Sequence, residues 1–327
     1  MDGPIFVIGI HRCGGTFWHN LLVTRPGLLR LGEPRFMGAP RQRDFRYFLK
    51  TEGLDLRVDA DVEKMVELCF AKKNRPGLET SFWRFENLPA MDYAGLKKEV
   101  LRRLKASDRS LGAVARVIIE EMVRGSGQER ACVRFPVDIE YLPELISWFP
   151  NCRIMHLTRD PRAMAMSKTN DPTGTAVRIA QHPRLAWLIR KAMVFFIISE
   201  YRKFARYHRR YQHLENYRLF RYEDLLAHPE KTLMEVCDFV GCAYSPDMLE
   251  PERGAHEHQP SSLTGQRHKG FDPSIALRWQ KLISRLDRWT IDLLTGGSMR
   301  ALKYDPKIHP IFRLSAKPPQ EPRLAHV

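Results

Sequence analysis

An unbroken apolar run near the start of the chain, "IFVIG" (5–9), is rich in β-branched residues, the pattern of a strand buried on both faces. "TFWHNLL" then reads as a helix that ends before "TRPG". Over 35–128 helical periodicity dominates, in "DVEKMVELCFA", "AGLKKEVLRRL" and "SLGAVARVIIEEMV", and this stretch is expected to be an inserted helical subregion. "ACVRF" (131–135), "DIEYLPELISWF" (138–149) and "RIMHLT" (153–158) follow as strand, helix and strand, which implies a right-handed parallel crossover. A further helix starts at Pro161, "YRLFRYEDLL" supplies a short strand, and "PEKTLMEVCDFVG" is a helix stopped by Gly241. "SIALRWQKLI" and "DRWTIDLLTG" read as two amphipathic helices. The expected fold class is therefore α/β, a central, mainly parallel sheet flanked by helices. Residues 1–304 are expected to form one domain, with 305–327 a Pro-rich basic tail.

A second apolar run, "LAWLIRKAMVFFIISEY" (185–201), holds Arg190 and Lys191 near its centre, which argues against a membrane span and for a buried helix. Its basic flanks permit a peripheral membrane contact without requiring one. Across 327 residues, 53 Lys and Arg stand against 38 Asp and Glu, a formal net charge of +15 that suits a polyanion, an anionic surface or a highly charged small ligand. Six cysteines lie scattered without metal-type pairing, no Asn-x-Ser/Thr sequon occurs, and no signal-peptide pattern precedes "PIFVIGI". The expectation is a cytoplasmic protein without a metal site.

The segment between the first strand and helix carries the first chemical signal. From Gly9 it satisfies most of the frame GxxxxGK[ST]: Gly14 and Thr16 are in place, but Gly15 occupies the lysine position. A strand-to-helix loop presents backbone N–H groups and the positive end of a helix dipole to an anion. With Arg12 inside the loop and no lysine, a terminal group less charged than a γ-phosphate, such as a sulfuryl group, fits better than a nucleoside triphosphate. A cysteine-phosphatase loop is disfavoured, because His19 stands six residues after Cys13 where an arginine is needed. A second cluster, "RIMHLTRDPRAMAMS", puts Arg159 and Arg162 at the C-terminal end of a strand, where open α/β sheets bind ligands, with Ser167 one to two turns later. Taken alone, "RDPR" reads equally well as a capped, solvated helix start.

The two clusters together resemble the sulfotransferases that use 3′-phosphoadenosine 5′-phosphosulfate, in particular the branch of bacterial and Golgi enzymes. The similarity runs in order through "PIFVIGIHRCGGTFWHNLL", "RFPVDIEYLPELISWFPNCRIMHLTRDPRAMAMS", "LFRYEDLLAHPEKTLMEVCDFVGCAYSPDML" and "RWQKLIS". It implies a P-loop-type three-layer fold. It also implies that Arg12, Cys13, Gly14, Gly15 and Thr16 cradle the 5′-phosphosulfate, and that Arg159 and Ser167 bind the 3′-phosphate. Arg134 in "RFP" matches a position that is often Lys in relatives, close to the transferring group, and Arg12 and Arg134 are expected to meet the charge that develops on the bridging oxygen. Tyr222 in "RYEDL" resembles a residue near the nucleotide, although that motif serves packing and capping equally well. "GQRHKGF" is similar to a basic loop that closes over the 3′-phosphate in some relatives, which makes Arg267 and Lys269 candidates. His11, Cys13 and Gly15 depart from the usual Pro/Gly-Arg-Ser-Gly-Thr-Thr/Ser loop and remove two hydroxyl donors, a loss of about 1.5–3 kcal/mol each if both bonded a charged group.

Transfer to a hydroxyl calls for a base. Glu33 in "RLGEPRF" is the first candidate, since a short connection after the first helix returns the chain towards the loop, and related enzymes often place a Glu there. Glu79 in "GLETSFWRF" is the second, beside Phe82, Trp83 and Phe85, which suit either an acceptor pocket or simple packing. The expected acceptor is a hydroxyl of a small molecule, carbohydrate or lipid, with no nucleic-acid partner. Two other readings stay open: a weakened relative that binds the nucleotide or an anionic partner, and, against the missing lysine, a P-loop kinase.

Overall fold

A computed structural model gives the structure and describes residues 3–34, 36, 44–71, 82, 90–136, 139–172, 174–250 and 270–304. Five strands, β1 (Ile5–Gly9), β2 (Leu28–Gly32), β3 (Arg130–Pro136), β4 (Arg153–Thr158) and β5 (Tyr217–Arg221), form one sheet in the order β2-β3-β1-β4-β5, with every neighbouring pair parallel. Parallel neighbours need a crossover at each step, and here helices supply it. They are α1 (Gly15–Leu22), α2 (Phe45–Glu52), α3 (Asp59–Phe70), α4 (Tyr93–Lys105), α5 (Leu111–Gly125), α6 (Leu142–Trp148), α7 (Pro161–Thr169), α8 (Thr175–Gln181), α9 (Ala186–Tyr211), α10 (Tyr222–Ala227), α11 (Pro229–Val240) and α12 (Arg285–Ala301). β1 is buried along its whole length, which requires cover on both sheet faces and yields the three-layer, P-loop-type α/β fold expected from the sequence.

The core forms around the central strands. Phe6 of β1 packs against Phe135 of β3 and Phe149, and Trp18 of α1 meets Phe220 of β5. Within 44–128, Leu96, Val100 and Leu104 recur at four-residue spacing on α4, and α4 packs against both α3 and α5. Asp92 and Ser110 cap the starts of α4 and α5 by accepting from backbone N–H groups.

Three elements differ from the sequence reading. β2 was not expected: "LLRLG" is short, is interrupted by Arg30 and pairs on one side only, so its pattern lacks the continuous apolar run of a central strand. "SIALRWQKLI" forms a 3-10 helix over Pro273–Lys281 rather than an α-helix. The apolar run at 185–201 is not buried throughout: α9 buries Val194, Ile197, Ile198, Tyr201 and Phe204, but most of its first turns face solvent. Among the described residues no helix is long and apolar enough to cross a membrane. The tail at 305–327 lies outside the described residues.

Candidate functional site

β1 lies between β3 and β4, so the chain leaves it at the point where strand order reverses, and in open parallel sheets this is where ligands bind. Each of the five strands delivers one candidate residue at its C-terminal end. Arg12 follows β1, Glu33 follows β2, Arg134 lies near the C-terminal end of β3, Arg159 follows β4 and Tyr222 follows β5. The topology thus gathers residues that are up to 210 positions apart in sequence, from Arg12 to Tyr222.

The first loop is tight. Cys13 N–H donates to the Ile10 carbonyl (3.1 Å), and Gly14 adopts the left-handed conformation (φ 92°) as α1 begins. A Cβ at Gly14 would come within 2.4 Å of the Tyr222 ring, and one at Gly9 within 2.4 Å of the Cys13 sulfur. Gly14 therefore answers both a turn and a close approach, and Gly9 a close approach alone. Cys13 points down into the core, and burial pushes its thiol up to about 11. It is a packing group and not a nucleophile at neutral pH. His19 is fully buried, burial holds its pKa down to about 3, and the neutral ring donates through Nε2 to the Cys132 carbonyl (2.9 Å). The phosphatase reading has neither its thiolate nor its arginine. Thr16 sits in the first turn of α1, partly exposed.

Arg12, Arg159 and Ser167 meet at one corner. Arg12 has a left-handed backbone (φ 72°), uncommon for a residue with a Cβ, and donates through Nε to Ser167 Oγ (2.9 Å). Arg159 donates through Nη1 to the Arg12 carbonyl (3.3 Å), and its guanidinium carbon sits over the Tyr222 ring, 4.7 Å from the centroid. Its Nε is buried with no hydrogen-bond partner among the described residues. Burial lowers the Arg12 pKa, nearby Asp171 opposes that shift, and Arg159 adds to it. The two seats inferred from sequence are thus in contact, because Arg12 leans towards Ser167 rather than over Thr16.

Arg134 and Glu33 form the other side. Glu33 also has positive φ (28°), its N–H donates to the Arg134 carbonyl (3.1 Å), and its carboxylate pairs with the Arg134 guanidinium at 2.8 Å. A Cβ at Gly15, the lysine position of the loop, would lie 3.8 Å from Arg134 Cδ. Arg134 Nε is buried with no hydrogen-bond partner among the described residues. Two guanidiniums therefore flank the loop with buried donor capacity to spare, the chemistry an anion with two charged ends would need. The short connection that returns the chain here after α1 contains the strand β2.

The "RDPR" and "YEDL" motifs divide their work. Asp160 caps α7, and buried Arg162 pairs with Asp160 and Asp292 beneath the Trp279 ring, so Arg162 builds the scaffold and only Arg159 reaches the loop. Glu223 accepts from Asp160 N–H (2.9 Å) and the Tyr304 hydroxyl (2.6 Å), fixing the turn that carries Arg159. Burial raises its pKa. Sequence reasoning missed Glu223, one of two acids in the first turn of α10, and Asp171, which lies in the polar connection after α7. Phe82 is packed against Phe36 and Phe45, while Glu79, Trp83, Phe85, Arg267 and Lys269 lie outside the described residues. No group of three or more potential metal ligands occurs among the described residues.

Residues 4–246 match the model of the Sulfotransferase family, and the chain belongs to that family. It is similar in fold to the sulfotransferase domain from the curacin biosynthetic pathway, with 16% identity, a TM-score of 0.54 and coverage of 93% of this chain and 99% of that one. It is likewise similar to the sulfotransferase domain of the Synechococcus PCC 7002 olefin synthase, at 18% identity, TM-score 0.54 and coverage of 93% and 97%. No curated protein matches the chain.

Proposed function

We propose that the protein transfers a sulfuryl group from 3′-phosphoadenosine 5′-phosphosulfate to a hydroxyl of a small-molecule, carbohydrate or lipid acceptor. The observation that carries this reading is the pair of guanidiniums, Arg159 and Arg134, set on opposite sides of a lysine-free glycine loop, each with a buried Nε to spare. Arg159, Arg12 and Ser167 form the seat for the 3′-phosphate. The loop N–H groups of 13–16, the Thr16 hydroxyl and Arg134 receive the 5′-phosphosulfate. Arg134 stands beside Gly15 and supplies there the charge that lysine provides in triphosphate loops.

In the reaction the acceptor oxygen forms its bond to sulfur as the bond from sulfur to the 5′-phosphate oxygen breaks, and the bisphosphate nucleotide leaves. The acceptor proton passes to the Glu33 carboxylate, which shares the C-terminal edge of the sheet with the loop. Arg134 holds Glu33 in place through their ion pair and meets the charge that grows on the bridging oxygen. The lost loop hydroxyls weaken the donor site without dismantling it, because the Cys13 side chain is turned into the core and the anion is held by backbone and arginine.

Thermal unfolding with 3′-phosphoadenosine 5′-phosphate or ATP–Mg²⁺ tests the reading. At about a hundred times its Kd the bisphosphate should add ~2.7 kcal/mol of stability, and Arg159→Ala should lose the shift. An equal or larger shift with ATP–Mg²⁺ would transfer the site to phosphoryl chemistry.

A further inference from the structure

The first turns of α9 and α12 lie side by side, joined by an ion pair between Lys191 and Asp287. Both helices turn large apolar side chains outward there. On α12 these are Leu286 (60% exposed), Trp289 (62%) and Leu293 (62%), at spacings that share one face. On α9 they are Trp187 (68%), Leu188 and Phe195, the last two again one helical face apart. Two tryptophans this exposed on adjoining helices are far from the ordinary scatter of single apolar residues over a surface.

The charges around them have one sign. Arg178, Arg184, Arg190, Lys281, Arg285 and Arg288 are all exposed. The acids of the two helix starts are turned to partners: Asp287 to Lys191, and Asp292 to Arg162 and Arg288. From 176 to 195 the sequence has no acid at all. A second copy of this chain would bring the same cations face to face, whereas a phosphate-bearing interface would neutralise them.

We propose that this face docks on an anionic lipid bilayer, with Trp187, Trp289, Leu286 and Leu293 entering the interfacial layer and the surrounding arginines contacting lipid phosphates. α9 continues from the docked face to the loop, where Phe196 lies 6.2 Å from the His11 ring. The bilayer would therefore lie next to the mouth of the site. Docking of this kind needs no donor chemistry.

The test is co-sedimentation of the full chain with vesicles of phosphatidylcholine alone or with about one third phosphatidylglycerol. Binding is expected to the anionic vesicles only and to fall steeply as salt is raised. Replacing Arg184, Arg190 and Arg285 together by Gln should weaken it roughly a hundredfold, at about fivefold per cation. Leu286→Glu with Trp289→Glu should abolish it while melting stays unchanged, since these side chains are exposed in the free protein. Equal binding to neutral vesicles, or no binding to either, would overturn the proposal. So would a concentration-dependent dimer that is lost in the double Glu variant, or binding that appears only once residues 305–327 are removed.

Discussion

Replacing Gly14 by Ala probes the point where the loop, the Tyr222 ring and Arg159 touch. The new methyl group would lie 2.4–2.6 Å from two ring carbons of Tyr222, on a backbone with φ of 92°. Two costs follow. Placing a Cβ on left-handed backbone costs about 1–2 kcal/mol. Pushing the ring aside breaks its cation–π contact with the Arg159 guanidinium at 4.7 Å, a contact worth about 0.5–2 kcal/mol. The sum is ~1.5–4 kcal/mol, readable by urea unfolding. The two costs separate in a double-mutant cycle with Tyr222→Ala. Without the ring, Gly14→Ala should cost only the backbone part, about 1–2 kcal/mol. The same destabilisation in both backgrounds would refute the contact between loop and ring, and with it the geometry assigned to Arg159.

Ser167→Ala removes the hydroxyl that accepts from Arg12 and should weaken the bisphosphate about tenfold, as expected for one hydrogen bond to a charged group, with melting little changed. Glu33→Gln should lower kcat by about a hundredfold or more while nucleotide affinity stays put; an unchanged kcat would remove Glu33 as the base. Alkylation followed by peptide mapping should find Cys242 first, because it is the one cysteine that is not buried and the neighbouring Cys237 holds its thiol below the ordinary cysteine pKa, whereas Cys13 should stay unmodified until the chain unfolds. Burial holds His19 to about 3, His208 to about 4 and His156 well below its ordinary value, so all three are neutral in the fold and take up protons on unfolding below pH 6.5. The unfolded state then binds more protons, and stability, complete above pH 6.5, should fall by up to ~4 kcal/mol per pH unit between about pH 6 and pH 5. A flat profile across that range would contradict the burial of these rings.

The strands at the centre of the sheet could be read directly, because β1, β3 and β4 are buried on both faces and their composition says so. β2 could not, since an edge strand of five residues interrupted by Arg30 leaves no such signature. The loop and Arg159 were visible as local motifs. What sequence could not show was how these residues meet. That Arg12 reaches Ser167, that Tyr222 closes over Gly14 and that Arg134 pairs with Glu33 depend on the strand order β2-β3-β1-β4-β5, and periodicity does not encode order. The reading of 185–201 as a buried helix failed at its first turns for a related reason. A helix apolar on several faces fits a deep core or an interfacial surface equally well until its neighbours are placed.

The central claim is a site built for two separated anions, and calorimetric titration with 3′-phosphoadenosine 5′-phosphate and with adenosine 5′-phosphate tests it most directly. The bisphosphate should bind at least about tenfold more tightly, the equivalent of one charge-assisted contact, and Arg159→Ala should narrow that difference. Equal affinity in the unaltered protein would mean that Arg12, Arg159 and Ser167 form no 3′-phosphate seat, and the assignment of the donor would fall.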